Sequence, residues 1–185
     1  HFHSSTSPIF TVDVGAATKL QVICPGETPV PGYSQGKTGS PTWQGAAAAF
    51  TVVVNITDNN WNKVTSASSR VEIVTSDAND EEPFGDITND TDGIATVDGT
   101  ANIDVTMVTM GTWTVTAQTV SGYTTYTSTT SKGINIRPGG AKRLQVILPG
   151  ETNDPGTGSG KTVTPSTQIA GLPFGVTVYT TDNLW

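Results

Sequence analysis

The chain repeats one long stretch of its own sequence. Residues 20–28 read LQVICPGET and residues 144–152 read LQVILPGET. The match continues without a gap to Trp61 and Trp185, always 124 residues apart, and about half of the aligned positions are identical. A period of this length corresponds to a whole domain rather than to one unit of a short-repeat solenoid. The sequence therefore predicts serial copies of one domain.

The repeat divides the 185 residues into three parts. Residues 17–140 form one complete copy, and residues 141–185 contain the first strands of a second, incomplete copy, here called the partial copy. In residues 1–16, Phe10 and Val12 align with Ile134 and Ile136, so this segment is predicted to be the tail strand of a preceding copy or a linker. We expect the chain to be a window from a longer array.

The composition predicts that this array is extracellular. Thr, Val, Gly and Ser dominate, and only 14% of the residues are charged, which is typical of a secreted or cell-surface all-β protein. The net charge of -7 disfavours nucleic acid as a partner. No apolar run approaches the roughly 20 residues that span a bilayer, so this segment is predicted to contain no membrane span.

Several short runs alternate apolar and polar residues, which is typical of half-buried strands. In the clearest run, Phe50, Val52, Val54 and Ile56 share one face. Further strands are predicted near residues 20–23, 71–75, 103–107, 113–117, 123–129 and 133–136. About seven short strands per copy predict an all-β fold of immunoglobulin-like β-sandwich repeats, with one complete copy and partial flanking copies.

Three finer expectations follow from the same pattern. Residues 103–107 and 113–117 are expected to form a hairpin with Gly111 in the turn. Trp113 is the best candidate for the central aromatic residue of the core. Residues 27–44 are Pro- and Gly-rich and too long for a hairpin turn, so we expect an ordered loop that wraps the edge of the sandwich.

The repeated motifs resemble those of a known class of domain. Beyond Leu-Gln-Val-(x)2-Pro-Gly-Glu-Thr, the motifs are Gly-Lys-Thr at 36–38 and 160–162, Phe-x-Val-x-Val at 50–54 and 174–178, and Asp-Asn-x-Trp at 58–61 and 182–185. Together they resemble bacterial Ig-like repeats, which occur in tandem in very large secreted or surface proteins. The resemblance implies an adhesin, stalk or filament role, with neighbouring copies of the repeat as partners.

The partial copy is expected to need a partner for its apolar face. Phe174, Val176 and Val178 would have to pack against an opposing sheet, but the counterpart of residues 62–140 does not follow them in the sequence. A lone pair of strands is marginal in water. We therefore expect a continuation of the polypeptide, or strands of a neighbouring subunit in a homo-polymer, to cover this face.

An acidic stretch between the predicted strands at 71–75 and 103–107 is a candidate calcium site. Its proposed ligands are Asp77, Asp80, Glu82, Asp90 and Asp92. Carboxylates mixed with Asn and Gly suit Ca²⁺, which takes six to eight oxygen ligands. The stretch lacks the spacing of an EF-hand. A solvated acidic loop is the alternative interpretation, and no other cofactor is predicted.

Two tryptophans are candidates for ligand binding. Trp43 and Trp61 lie in or beside the loop at 27–44, and exposed aromatic rings stack on sugars in carbohydrate-binding modules. The alternative is packing between successive copies. Trp61 recurs as Trp185 and follows Asp58-Asn59, which favours a structural corner, whereas Trp43 is replaced by Thr167. With the acidic loop, this surface would recognise cell-surface or host glycans or proteins.

The remaining motifs predict little chemistry. The histidines, His1 and His3, stand at the start of the sequence, so no Ser-His-Asp arrangement is expected in the body of the fold and the module is predicted to be non-catalytic. Cys24 is the single cysteine and is expected to be a buried apolar side chain. Asn55 and Asn89 satisfy the N-glycan acceptor pattern, Asn89 being the more accessible by its loop position.

Overall fold

The computed structural model describes residues 2–80 and 93–185, and these residues form an all-β structure, as predicted. No helix occurs among them. In chain order the strands are β1 (Lys19–Ile23), β2 (Glu27–Pro29), β3 (Lys37–Gly39), β4 (Gln44–Gly45), β5 (Phe50–Thr57), β6 (Arg70–Thr75), β7 (Ile94–Ala95), β8 (Thr100–Val105), β9 (Gly111–Trp113), β10 (Val115–Thr119), β11 (Thr129–Thr130), β12 (Ile134–Arg137), β13 (Arg143–Ile147), β14 (Thr152–Asn153), β15 (Lys161–Thr162) and β16 (Thr177–Thr181).

The first layer of the complete copy is built around β5. This strand pairs antiparallel with β1 on one side and with β8 on the other. Its sequence is rich in β-branched residues, which suit extended backbone. Val52, Val54 and Ile56 are fully buried while Thr51 is exposed, so the alternation in the sequence corresponds to one face turned to the core.

The second layer consists of two short sheets, with strand orders β11-β10-β6-β7 and β4-β12-β9. All of its pairings are antiparallel except that of β4 with β12. Side chains of both layers form one contiguous core, whose fully buried members include Leu20, Val22, Val52, Ile56, Ile73, Ile103, Val115 and Ile134. Two sheet layers around one aliphatic core have the form of a β-sandwich.

Two of the finer sequence predictions are wrong. The runs at 103–107 and 113–117 do not form a hairpin about Gly111, because β8 pairs with β5 in the first layer, whereas β9 pairs with β12 and β10 pairs with β6 in the second. Trp113 does not occupy the centre of the core. It packs half-buried at the margin, where its indole N–H donates to the carbonyl of Thr109 at 2.7 Å. The centre of the core is aliphatic.

The loop at 27–44 is ordered, and it contains a small hairpin of β2 and β3. The hairpin starts from a tight turn in which the N–H of Glu27 donates to the carbonyl of Cys24 at 3.0 Å. Pro25 sets the first central position of this turn, and Gly26 takes the second with φ of 91°, which is the pattern of a type II turn. Cys24 itself is buried, as predicted.

The partial copy repeats this local structure. Strand β13 pairs with β16 in the register of β1 with β5, so that Val146 faces Val178 as Val22 faces Val54. Strands β14 and β15 repeat β2 and β3. The two copies differ in burial, because Leu20 is 0% exposed and its counterpart Leu144 is 69% exposed.

Residues 2–16 contain no strand. Phe10 and Val12, which align with residues of β12, are exposed. The interpretation of this segment as a linker is consistent with the structure, whereas the tail-strand interpretation stays a prediction.

The unequal burial of matched residues gives a direct stability test. Leu20→Ala removes a fully buried side chain and should lower the free energy of unfolding by about 2–5 kcal/mol. Leu144→Ala makes the same chemical change on an exposed surface and should change it by no more than about 0.5 kcal/mol. Urea denaturation followed by tryptophan fluorescence measures both. Equal losses in the two variants would contradict the difference in burial.

Candidate functional site

A buried ion pair closes the loop of the complete copy and recurs in the partial copy. Lys37 Nζ lies 2.7 Å from Glu27 Oε2 and also donates to the carbonyl of Val22 at 2.7 Å. The same carboxylate oxygen accepts from the N–H of Cys24 at 3.0 Å. We call the pair Glu27–Lys37, and its counterpart Glu151–Lys161, the clasp. The clasp explains why Gly-Lys-Thr recurs, since its lysine ties the loop to the first strand.

The clasp of the partial copy has the same partners. Lys161 Nζ lies 2.7 Å from Glu151 Oε1 and donates to the carbonyl of Val146 at 3.3 Å. The hydrogen bond from Lys161, followed by the one from the N–H of Leu148, lowers the pKa of the Glu151 carboxyl. The carboxylate is thereby held in its charged form, which the clasp requires.

A tryptophan corner follows β5 of the complete copy and β16 of the partial copy. Lys19 Nζ lies 3.5 Å from the centre of the Trp61 ring, and a Cβ atom added at Gly36 would lie 2.3 Å from the indole. The indole N–H donates to the carbonyl of Ser34 at 3.2 Å. The indole is therefore held between the ammonium group and the glycine backbone. This geometry favours the structural corner over a sugar-stacking platform at Trp61.

The corner recurs at the end of the partial copy. Arg143 Cζ lies 4.8 Å from the centre of the Trp185 ring. The indole N–H of Trp185 donates to the carbonyl of Gly158 at 3.2 Å, and a Cβ atom at Gly160 would lie 2.2 Å from the ring. Cation, ring and glycine thus occupy the same relative positions in both copies, although arginine replaces lysine.

An aspartate beside each corner binds the segment that enters the copy. Asp58 Oδ2 accepts from the N–H of Gly15 at 2.9 Å, and Asp182 Oδ2 accepts from the N–H of Gly139 at 2.7 Å. Gly15 and Gly139 are matched positions of the repeat. We call these two contacts the joint. The joint fixes how the preceding segment enters each copy.

The carboxyl of Asp58 is surrounded by donors. Its Oδ1 accepts from the N–H groups of Asn60 and Asn62, and its Oδ2 accepts from the side chain of Asn62 as well as from Gly15. The side-chain hydrogen bond from Asn62 and the backbone N–H groups lower the pKa of Asp58 from 3.8 to about 2. Such a cluster favours the charged form.

A cavity of about 350 Å³ lies beside the second joint. Val108 and Met110 line it from the complete copy, and Pro155 and Tyr179 line it from the partial copy. The two copies therefore approach each other across a partly apolar cleft.

The predicted calcium cluster is only partly within the described residues. Asp77 and Asp80 are described, whereas Glu82, Asp90 and Asp92 lie outside the described residues. No group of three or more potential metal ligands occurs in residues 2–80 and 93–185. The calcium site stays a prediction.

Asp77 has a structural role of its own. The side chain is buried, and its Oδ2 accepts from the N–H groups of Val108 and Thr109 at 3.0 and 2.9 Å. Its Oδ1 accepts from the N–H of Asn79 at 3.1 Å. Asp77 thus ties the start of the acidic stretch to the connection between β8 and β9.

Trp43 is the more accessible of the two candidate ligand-binding tryptophans. Its side chain is 56% exposed, and Arg137 Cζ lies 4.7 Å from the ring centre. The neighbouring β4 pairs with β12, which places the ring beside the entrance to the second joint. Trp43 and Arg137 together form an amphipathic surface.

The two glycosylation candidates differ in what the structure describes. Asn55 is buried, its amide donates to Gln21 Oε1 at 3.2 Å, and its Oδ1 accepts from the hydroxyl of Thr100. These contacts favour a structural role for Asn55. Asn89 lies outside the described residues.

Comparison with family models, curated proteins and solved structures found no significant match. Within the described residues there is also no helix with the length and apolarity needed to cross a membrane.

The sequence reasoning missed the chemistry of the recurring residues. It identified the Asp-Asn-x-Trp motif as a corner but not Asp58 as the anchor of Gly15. It also placed Lys37 in a polar loop and overlooked its pairing with Glu27. The available signal was recurrence, because Asp58, Gly15, Glu27 and Lys37 are all unchanged 124 residues later.

The lowered pKa of Asp58 predicts a specific acid sensitivity. Because the folded carboxyl has a pKa of about 2 and an ordinary one has 3.8, its stabilisation is complete above pH 4 and is lost as the pH falls toward 2. Asp58→Asn should lower stability at pH 6 and flatten the decline between pH 4 and 2. Urea midpoints across this range measure the effect.

The control is Asp104→Asn, which alters an exposed carboxyl bonded to Thr51. In this variant stability should still decline between pH 4 and 2. An unchanged decline in Asp58→Asn would contradict the assignment.

Proposed function

We propose that this protein is a non-catalytic, extracellular structural or adhesive module of the bacterial Ig-like kind, arranged as tandem repeats in a long surface protein or filament. The observation that carries the proposal is the recurrence of the joint. Asp58 binds Gly15 and Asp182 binds Gly139 through the same atoms. A contact that recurs in every copy gives each copy the same orientation relative to the preceding one. Added copies then lengthen the array without new chemistry.

The linker between the copies is held at both ends, which supports a stiff array. On one side, the carbonyl of Arg137 accepts from the N–H of Ala46 at 2.8 Å. On the other, the N–H of Lys142 donates to the carbonyl of Thr181 at 2.7 Å. Between these anchors Pro138 restricts its own backbone, and the N–H of Gly139 is bound by Asp182. These contacts restrain bending along most of the linker.

Concatemers of residues 17–140 test the proposal. In a series of increasing length, negative-stain electron microscopy should show rods whose length grows in proportion to the number of copies. Asp58→Ala in every copy should widen the distribution of angles between neighbours, whereas Asp104→Ala should not. Compact particles whose length does not grow would contradict the array. End-to-end filaments, rather than rods of fixed length, would favour the self-assembling version of the proposal.

Binding of a carbohydrate or protein is a second candidate function, supported by the exposure of Trp43. An aromatic ring beside a cation offers an apolar face and a hydrogen-bond donor together, and such rings are favoured at recognition surfaces. The Trp43–Arg137 pair occurs once, because Thr167 stands at the matching position of the partial copy. A recognition surface, unlike a joint, does not have to be present in every copy.

The second function predicts the loss of glycan binding on removal of one ring. Trp43→Ala should abolish binding to a glycan array without changing the midpoint of urea denaturation. The matched control is Tyr123→Ala, since Tyr123 is also exposed and has Arg70 5.8 Å from its ring. Equal binding by both variants, or no binding by the unmodified chain, would argue against carbohydrate recognition at Trp43.

A further inference from the structure

The partial copy exposes an apolar face that the complete copy buries. Its members are Leu144, Val146, Phe174, Val176 and Val178, which we call the open face, and all five are exposed. Their counterparts in the complete copy, Leu20, Val22, Phe50, Val52 and Val54, are all buried. Phe50, for example, is 6% exposed and Phe174 is 52% exposed. A contiguous group of large apolar side chains marks an interaction surface.

On the opposite side of β13, the loop of the partial copy contacts Gln145. Gln145 is buried, and its amide donates to the carbonyl of Gly160 at 2.6 Å. Gln21 makes the matching contact with Gly36 at 2.8 Å. The loop of the partial copy therefore covers its polar side at Gln145, whereas all five residues of the open face stay exposed.

Between residues 174 and 178, the sequence identity with the complete copy lies on this face. Phe174, Val176 and Val178 are identical to their counterparts. The positions between them differ, since Gly175 and Thr177 replace Thr51 and Val53. Their counterparts Phe50, Val52 and Val54 alternate along β5 and share its buried side. Both copies thus present the same apolar pattern, and the same kind of surface fits both.

The complete copy specifies what covers this pattern. Its cover comes from residues 62–140, whose strands contribute Val71, Ile73, Val115, Ala117 and Ile134 to the core. That segment follows Trp61 directly, and the corner around Trp61 is repeated around Trp185. We propose that the open face binds a β-sheet segment with the strand pattern of residues 62–140. This proposal deepens the repeat architecture proposed above and rests on it.

A fusion protein tests the proposal with residues from this chain alone. Residues 62–140 are appended to the full chain after Trp185, so that the corner leads into the cover as it does after Trp61. Amide hydrogen exchange in β13 should then slow to the rates of β1, and binding of the apolar dye ANS should be lost. In the unmodified chain, β13 should exchange rapidly, because two strands without a cover are marginal.

Two further variants keep the test decisive. In the control fusion, Ile73→Asp and Val115→Asp are introduced only in the appended segment, and β13 should keep its rapid exchange. In the matched fusion, Leu148→Cys and Thr180→Ile restore the two positions where the covered surface differs from that of the complete copy.

Rapid exchange in both the plain and the matched fusion would overturn the proposal. Slow exchange in the unmodified chain, together with a dimer in analytical ultracentrifugation, would also overturn it, because a second copy would then cover the face. If the concatemers form rods but β13 of the fusion still exchanges rapidly, this proposal is refuted and the repeat architecture stands.

Discussion

Burial of one apolar face of β5 and its partner β1 is the constraint on which the rest of the complete copy depends. Leu20, Val22, Val52 and Val54 become inaccessible only because a second layer of strands lies over them. In the partial copy β13 pairs with β16 in the matching register, and the counterparts Leu144, Val146, Val176 and Val178 remain exposed. Strand pairing alone therefore does not close the core. Packing of one layer on the other supplies most of the hydrophobic stabilisation.

The parts of the fold that sequence predicts well are those set by local pattern. The alternation of apolar and polar residues predicted the bounds of β5 almost to the residue, and it also located β6 and β12. This succeeds because a period of two assigns side chains to the faces of a strand directly. The hairpin expected about Gly111 failed for a physical reason. Alternation in β8 and β9 is the same whether the strands pair with each other or lie in opposite layers, and long-range packing decides between these arrangements.

In the candidate site, too, the sequence shows which residues recur but not which residues they contact. Recurrence marked Asp58, Glu27 and Lys37 as important, but their chemistry depends on partners that are only close in space. Gly15 lies 43 residues from Asp58 in the sequence, and no local pattern connects them. Trp43 illustrates the converse, since its lack of a counterpart indicated correctly that it has no part in the recurring corner. Its exposure and its contact with Arg137 could be found only from the structure.

The clasp, the corner and the joint of the partial copy do not depend on a covered core. Each uses polar contacts within residues 141–185 or with the linker that enters them, and none requires a residue of the second layer. The bond from Leu148 to Glu151 and that from Gln145 to Gly160 span short stretches of sequence, so their loop-closure cost is small. The joint likewise needs only Gly139 and Asp182. The contacts that connect neighbouring copies are therefore independent of core closure.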